Sequence, residues 1–455
     1  MRLFKSHQAL TQLSAIPLLP DSIRILHSAA EYRIELLQKI ASARHRIYLC
    51  SLYLQQDEAG AAILAALYAA KAARPSLDIV VLVDWHRAQR GLIGEARQPG
   101  KVVGNAAWYQ AQAQSHSHAD SVPIYGVPVQ TRELFGVLHL KGYVIDDLVI
   151  YSGASLNNVY LHQFDKYRHD RYWLIQNKLL ANCMTDFIRE YVLCAAAVHR
   201  LDKPEIPLTR HIRNDIHHFR EKLKKARYHL TVPQSADQQQ RLMITPLVGV
   251  GKSNPLNRVI CQLIAASKTQ ITICTPYFNF PLVLTREINR ALKRGVKIDI
   301  IVGDKTANDF FIPPEQPFKV IAALPYLYEV NLRRFAKSHQ AEIRHGQLNL
   351  HCWKDADNTY HLKGMWIDQR YALMTGNNLN PRAFRLDLEN ALLIHDPQQE
   401  LSEQWQAELE SIMQHTTRIS SFHALDKLED YPGAVRKLLS RLSRVRLDRL
   451  AYRVL

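Results

Sequence analysis

Two stretches of the chain carry the same reactive side chains at the same spacing. The first is His139-Leu140-Lys141-Gly142-Tyr143-Val144-Ile145-Asp146; the second is His361-Leu362-Lys363-Gly364-Met365-Trp366-Ile367-Asp368. Each leads through a hydrophobic run to an Asn-bearing turn, Gly153-Ala154-Ser155-Leu156-Asn157 in one and Gly376-Asn377-Asn378-Leu379-Asn380 in the other. These residue types suit chemistry at phosphorus. A neutral imidazole can attack phosphorus and form a phospho-histidine, splitting one hard substitution into two. A second imidazole can protonate the leaving group and then deprotonate the acceptor. Two lysines neutralise the equatorial oxygens, where phosphoryl transfer gathers charge, and Ser155, Asn157, Asn378 and Asn380 add hydrogen-bond donors. With that much positive character, no metal ion and no other cofactor is expected.

Each imidazole also needs a carboxylate to fix its tautomer. Asp170 and Glu389 open matching segments, Asp170-Arg-Tyr-Trp-Leu-Ile175 and Glu389-Asn-Ala-Leu-Leu-Ile394, and are the candidates. Asp146 and Asp368 belong to the motif and are grouped with the catalytic residues. Their place past the reactive end of a strand equally suits bonds to turn amides.

The elements that must position these groups also come twice. Ile47 to Leu54 and Ile271 to Phe278 are apolar strand-forming runs. A helix follows each, then a second strand ended by Asp84 or Asp304. Strand, helix, strand with apolar strands is the pattern of a buried parallel sheet. The pairs Cys50/Cys274, Tyr53/Tyr277, Asp84/Asp304 and His139/His361 are separated by 224, 224, 220 and 222 positions, which marks an internal duplication. The expected fold is α/β: two tandem units with mostly parallel or mixed sheets flanked by helices, in a pseudo-two-fold arrangement sharing one active site. The boundaries read 1–175 for the first unit, 176–240 for a helical connector, 241–400 for the second unit and 401–455 for a helical, basic C-terminal region. The polar stretch 91–120 reads as a loop or excursion. A strand through His-x-Lys would place both side chains on one face.

The 455 residues carry a net charge of +16 and are 47% apolar, which favours anionic partners and allows large cores. Six scattered cysteines without a CxxC pair argue against a disulfide scaffold or a Cys-ligated zinc site. The start, Met1-Arg-Leu-Phe-Lys-Ser6, has no hydrophobic segment, and the uncharged run Ala59 to Ala70 is too short to span a bilayer. A cytoplasmic chain, peripherally associated with the inner face of the membrane, is expected. Gly249-Val-Gly-Lys-Ser253 lacks the leading glycine of a nucleotide loop, since Pro246 stands there.

The paired His-x-Lys-x4-Asp pattern resembles the phospholipase D superfamily, in which two such motifs meet at one site. The resemblance implies a covalent phospho-histidine and no metal. The family's Gly-Ser-x-Asn turn stands here as Ala154-Ser155-Leu156-Asn157, with Asn378 in place of the serine in the second copy. Longer stretches, among them Leu82-Val-Asp-Trp-His-Arg-Ala-Gln-Arg-Gly91, Val302 to Phe310, Ala323 to Glu329 and Thr375 to Arg382, narrow the similarity. They resemble the Gram-negative-type phosphatidylserine synthases of that superfamily. The resemblance implies transfer of a phosphatidyl group from CDP-diacylglycerol to L-serine. It takes His139 as nucleophile and His361 as acid/base, and the symmetry of the motifs leaves the reverse open. Another superfamily enzyme, a cardiolipin-type synthase, a phospholipase D or a nuclease, is the alternative; nothing in the residues alone identifies serine.

Asp84, His86, Arg87 and Arg90 follow a strand that should end near the cleft, and are candidates for substrate binding. Asp304, Lys305, Asn308 and Asp309 are their counterparts. Leu324 to Phe335 mixes aromatics with arginine, and the tail from Gly433 holds seven Lys/Arg against Asp448 alone. Segments 324–335 and 433–455 are the expected contacts with an anionic membrane surface. Non-specific association with nucleic acid or the ribosome is what the charge would add.

Overall fold

The computed structural model describes residues 2–90, 103–117, 121–230 and 240–444. The chain begins with α1 (Arg2–Thr11), β1 (Ile16–Pro17), β2 (Ile23–Leu26), α2 (Ala29–Ser42), β3 (Arg46–Cys50) and α3 (Glu58–Ala73). It continues through β4 (Asp78–Asp84), α4 (Trp85–Ala88), α5 (Asn105–Ser115), β5 (Ile124–Val127), β6 (Leu138–His139), β7 (Tyr143–Ile145) and β8 (Leu148–Ser152). Then come β9 (Arg168–His169), β10 (Tyr172–Gln176), α6 (Lys178–Phe187), β11 (His199–Arg200) and α7 (Arg213–Lys225). The second half runs β12 (Met243–Gly249), α8 (Pro255–Ala266), β13 (Gln270–Thr275), α9 (Leu282–Lys293), β14 (Lys297–Gly303), α10 (Leu324–Ser338), α11 (Gln340–Arg344) and β15 (Leu348–Trp353). It ends with β16 (Thr359–Tyr360), β17 (Gly364–Ile367), β18 (Tyr371–Thr375), α12 (Pro381–Arg385), β19 (Leu388–His395), α13 (Ser402–Met413), β20 (Thr416–Ile419) and α14 (Gly433–Arg444).

Helix starts follow local chemistry. Asp57 caps α3 by accepting from the Gly60 amide, and Asn254 caps α8 by accepting from Asn257, with Pro255 at the first helical position. The strands β4, β12 and β15 bury almost every residue, as expected where helices cover both faces. The expected duplication is explicit in the topology. One sheet is ordered β11-β5-β4-β3-β7-β8-β10-β2; the other, read from its matching edge, is β20-β15-β14-β13-β17-β18-β19-β12-β1. In both, the first three core strands pair in parallel and the next ones antiparallel, so the sheets are mixed. One continuous apolar core runs from the first sheet across the junction, joining Trp173 and Tyr151 to Trp366, Ala372 and Met374.

The expected loop at 91–120 falls outside the described residues at 91–102 and 118–120. Between them lies α5, which a polar sequence concealed; Trp108 and Tyr109 anchor it in the core. Within the expected connector 176–240, α6 runs into a π-helical turn, Ile188–Leu193, and β11 pairs with β5 at the edge of the first sheet.

The segment Leu324 to Phe335 lies in α10, whose Tyr326, Leu327, Leu332 and Phe335 are buried. Val435 and Leu439 of α14 pack on Tyr326 and Leu327, which leaves Arg436, Lys437 and Arg441 exposed. The apolar face of α14 is thus spent on the start of α10, while Leu332 and Phe335 of α10 pack into the core of the second half, and Arg334 and Lys337 stay exposed. Residues 445–455 of the tail lie outside the described residues. Among the described residues, no helix is long and apolar enough to cross a membrane.

Candidate active site

The two motifs meet because each half lends a short strand to the other. β6 pairs in parallel with the start of β19, which sets His139 opposite Glu389. β16 pairs in parallel with β9, which sets Tyr360 opposite His169. One residue further along, His361 and Asp170 face each other. The strand expected through His-x-Lys is therefore interrupted. β6 ends at His139 and β7 starts at Tyr143; β16 ends at Tyr360 and β17 starts at Gly364. Gly142 turns the chain at φ 106°, a conformation that a side chain would strain. The break lets each histidine reach across to the other half while its lysine stays with its own.

The pairing is crossed. His139 Nδ1 lies 2.9 Å from both carboxylate oxygens of Glu389, and His361 Nδ1 lies 2.8 Å from Asp170 Oδ2. Each imidazole is thus oriented by the opposite half. With Nδ1–H donating to the carboxylate, Nε2 carries the free lone pair. His139 Nε2 has no hydrogen-bond partner among the described residues, since both contacts of that ring go through Nδ1. His361 differs: Lys363 Nζ lies 2.5 and 2.7 Å from its Nδ1 and Nε2, and the Tyr160 hydroxyl 3.2 and 3.1 Å. Lys141 donates to the Ala154 carbonyl at 3.2 Å and reaches Ser155 Oγ at 3.4 Å. Both lysines are almost wholly buried. Gly376 is needed here for contact: a Cβ would come within 2.8 Å of Lys141 Cγ and 3.4 Å of His139 Nδ1.

Burial dominates the electrostatics. It depresses both imidazoles well below their ordinary range, and the neighbouring lysines push the same way. At neutral pH both rings are neutral, as a nucleophile requires. Burial also brings Lys141 down to about 8 and Lys363 to about 7, and raises Glu389 to about 8. An anionic phosphodiester entering between the lysines opposes that shift and recharges them.

The other expected site residues divide. The Asn157 and Asn380 side-chain oxygens accept from the Tyr160 and Ala383 amides and so hold the turns in shape. Asn378 Oδ1 is buried without a hydrogen-bond partner, and so remains available at the site. Asp146 and Asp368 need correcting. They lie beyond β7 and β17, at the opposite end from the histidines. Asp146 accepts from the amides of Arg44, His45 and Arg46 at 2.9, 2.7 and 3.1 Å, and Asp368 from those of Lys268, Thr269 and Gln270 at 2.8, 2.8 and 2.9 Å. Three amide bonds consume each carboxylate in tying two strands together, so neither touches the reacting atoms.

The candidates after β4 also prove to be supports. Asp84 is fully buried; it caps α4 and accepts the Leu138 amide at 2.8 Å, holding the residue before His139. Asp387 accepts the adjacent Val137 amide at 3.0 Å and is itself paired with Arg382. His86 bonds the Gln130 carbonyl, and Arg87 and Arg90 share Glu133. In the second half Asp304 caps a short turn and Lys305 is held by Glu329 and Asp426. Only Asp309 reaches the site, through Arg168.

Tyr160, Asn390 and Arg168 escaped the sequence reading. Asn390 clamps the backbone of Lys141, accepting its N–H and donating to its carbonyl, each at 2.8 Å. Its position directly after Glu389 was the available signal. Tyr160 and Arg168 had none: Tyr160 lies in a turn and Arg168 in the two-residue strand β9, too short to show periodicity.

Known proteins resemble this chain closely. Residues 260–413 match the family described as "Cardiolipin synthase, PLD-like domain". The chain is 53% identical over 451 residues to a CDP-diacylglycerol–serine O-phosphatidyltransferase of Escherichia coli, covering 99% of this chain and 98% of that one. It is 48% identical over 454 residues to the Haemophilus influenzae protein of that description, with 99% and 98% covered. A crystal structure of phosphatidylserine synthase from Haemophilus influenzae superposes with a TM-score of 0.96 at 47% identity, covering all of both chains.

Proposed function

Because the chain belongs to the CDP-diacylglycerol–serine O-phosphatidyltransferase family, we propose that its crossed histidine–carboxylate pairs carry phosphatidylserine synthesis through a covalent phosphatidyl-histidine. The enzyme makes phosphatidylserine from CDP-diacylglycerol. In the first step His139 Nε2 attacks the phosphorus that bears diacylglycerol. An N–P bond forms, the P–O bond to CMP breaks, and CMP leaves with a proton from His361. In the second step the serine hydroxyl gives its proton to His361 and attacks the same phosphorus, and the N–P bond breaks. Lys141 and Lys363 hold the non-bridging oxygens throughout. The observation that carries this assignment is the asymmetry between the two rings: His139 Nε2 is unengaged, whereas Tyr160 and Lys363 crowd both nitrogens of His361. The charges of a bound pyrophosphate raise the depressed pKa of His361 and let it hold the proton that the first step needs.

The test is CMP release from CDP-diacylglycerol with and without L-serine. Serine is expected to stimulate release with stoichiometric phosphatidylserine, and EDTA to leave the rate unchanged, since two ammonium groups supply the charge stabilisation. Steady-state CMP release that serine does not stimulate, or cleavage of DNA instead, would overturn the assignment.

The lipid's route is supported by a cavity of about 1210 Å³ lined by Phe278, Phe280, Leu282, Val283, Phe335 and Phe384, with Lys252, Arg258, Arg286, Arg334 and Arg385 around it. Phe384 lies in α12, the helix that Asn380 of the motif turn caps, which ties the cavity wall to that turn. Leu282 is 65% exposed at its mouth. The enzyme works at the inner face of the cytoplasmic membrane: the cations meet anionic headgroups, joined by the outward cations of α10 and α14, and acyl chains enter between the phenylalanines. Leu282→Glu is expected to reduce sedimentation with anionic vesicles about tenfold, as a buried leucine contributes about 1.5–3 kcal/mol and the new charge adds repulsion. Equal sedimentation of the variant and the wild type would move the membrane contact elsewhere.

A further inference from the structure

Serine differs from other hydroxyl acceptors in carrying both an ammonium and a carboxylate on the carbon next to its reacting CH₂OH. A site that selects it needs one sheltered but accessible group of each sign within reach of the general base. Beside His361 there is such a pair. Arg168 lies two residues before Asp170, its guanidinium 3.1 Å from the Asp309 carboxylate and 4.6 Å above the Tyr160 ring. The hydroxyl of that Tyr160 is 3.1 Å from His361 Nε2. Arg168 Nε donates to Thr359 Oγ1 at 3.1 Å, on β16, which ends one residue before His361. Asp309 Oδ1 has no partner at full hydrogen-bond geometry, with Tyr277 the nearby hydroxyl that helps to hold the carboxyl ionised. Burial would raise the pKa of Asp309, but Arg168, His361 and Lys363 outweigh it and hold the carboxyl below its usual range. Asp309 is therefore ionised and close enough to feel both motif residues.

We infer that Arg168 and Asp309 form the subsite for the acceptor's amino-acid head: Asp309 takes the ammonium, Arg168 takes the carboxylate, and the hydroxyl is thereby delivered to His361. This rests on the synthase reading above. The exchange is charge-balanced. An internal ion pair opens and closes again around a zwitterion, so no net charge enters a low-dielectric site. Selection follows from repulsion as well as attraction. An acceptor carrying a phosphate meets the Asp309 carboxylate, and a neutral polyol leaves both buried charges without new partners.

The test separates the two half-reactions in Asp309→Asn and Arg168→Lys. Exchange of labelled CMP into CDP-diacylglycerol, without serine, reads the first; serine-dependent CMP release reads the whole. The KM for serine is expected to rise about 10–100-fold in each variant, the loss typical of one charged hydrogen-bonded contact. The loss in serine transfer should exceed the loss in exchange at least tenfold. A second readout is a ratio within each variant and so is independent of how much protein folds. In Asp309→Asn the preference for serine over 3-hydroxypropionate, which lacks the ammonium, should fall about tenfold. A serine KM within threefold of wild type, a parallel fall of exchange and transfer, or an unchanged preference would each overturn the subsite and leave the pair a structural one. If wild type itself shows no serine-stimulated release, the synthase reading falls and the subsite with it.

Discussion

Replacing His139 by alanine is expected to reduce phosphatidylserine formation by at least about 10⁴-fold, and replacing His361 by about 10²–10⁴-fold. The difference comes from their tasks. Without His139 Nε2 there is no N–P bond and the route through two displacements is closed. Without His361 the proton transfers slow, but unequally. CMP departs as a stabilised phosphate anion and needs little help from an acid, whereas the serine hydroxyl is a poor nucleophile until a base removes its proton. His361→Ala should therefore complete the first step and stall in the second. Acid-labile label from CDP-diacylglycerol should accumulate on His361→Ala and be missing from His139→Ala. Label on His139→Ala instead would reverse the two roles; label on neither would remove the covalent intermediate. The wild-type pH profile offers a further check. Burial and the lysines hold His139 well below its ordinary range, so the neutral nucleophile persists through the range where a free imidazole, at about 6.5, would protonate, and is lost only at more acid pH. On the alkaline side the unliganded lysines, Lys363 at about 7 and Lys141 at about 8, lose charge as pH rises, so substrate binding weakens there first.

Much of this site was legible as sequence. The duplication could be counted from landmark offsets, and the two sheets repeat the same strand order. The residue types of the motif named the chemistry, and the matching segments led by Asp170 and Glu389 supplied both orienting carboxylates. What could not be read was the exchange between the halves. β6 and β16 are two residues long, too short for any period, and their partners stand about 250 and 190 positions away, at Glu389 and His169. The role of Asp84 was hidden for the same reason: its partner amide on Leu138 is 54 residues on. Its neighbours Arg87 and Arg90 both pair with Glu133, a partner more than forty residues on. Sequence pattern reports which residues sit near a strand end; it does not report which buried amide or carboxylate they meet there.

The same exchange makes the junction between the halves the place where stability and catalysis are linked, and Arg171 is its strongest polar tie. Arg171 adjoins Asp170 in the first half. Its guanidinium donates to Glu408 of α13 at 2.7 and 2.9 Å and to the Leu373 carbonyl of β18 at 3.1 Å, and lies 4.1 Å over the Trp366 ring. Glu408 also accepts from Trp173 Nε1 at 2.8 Å. Both partners are buried. Arg171→Met keeps the apolar stem over Trp366 but leaves the Glu408 carboxylate buried with one indole donor, and should destabilise the fold by about 3–5 kcal/mol. Adding Glu408→Met removes the stranded charge, so the double variant should regain most of that loss; shape-preserving apolar replacement of a buried pair is often nearly neutral. Urea titration of the three variants reads this directly. Activity should not recover with stability. The backbone that presents Asp170 to His361 is anchored through Arg171, and a shift of about 1 Å at the Asp170–His361 contact is enough to cost about 10²-fold in rate. A double variant as active as wild type would detach the junction from catalysis, and an Arg171→Met variant losing under about 1 kcal/mol would show that apolar burial alone holds the halves together.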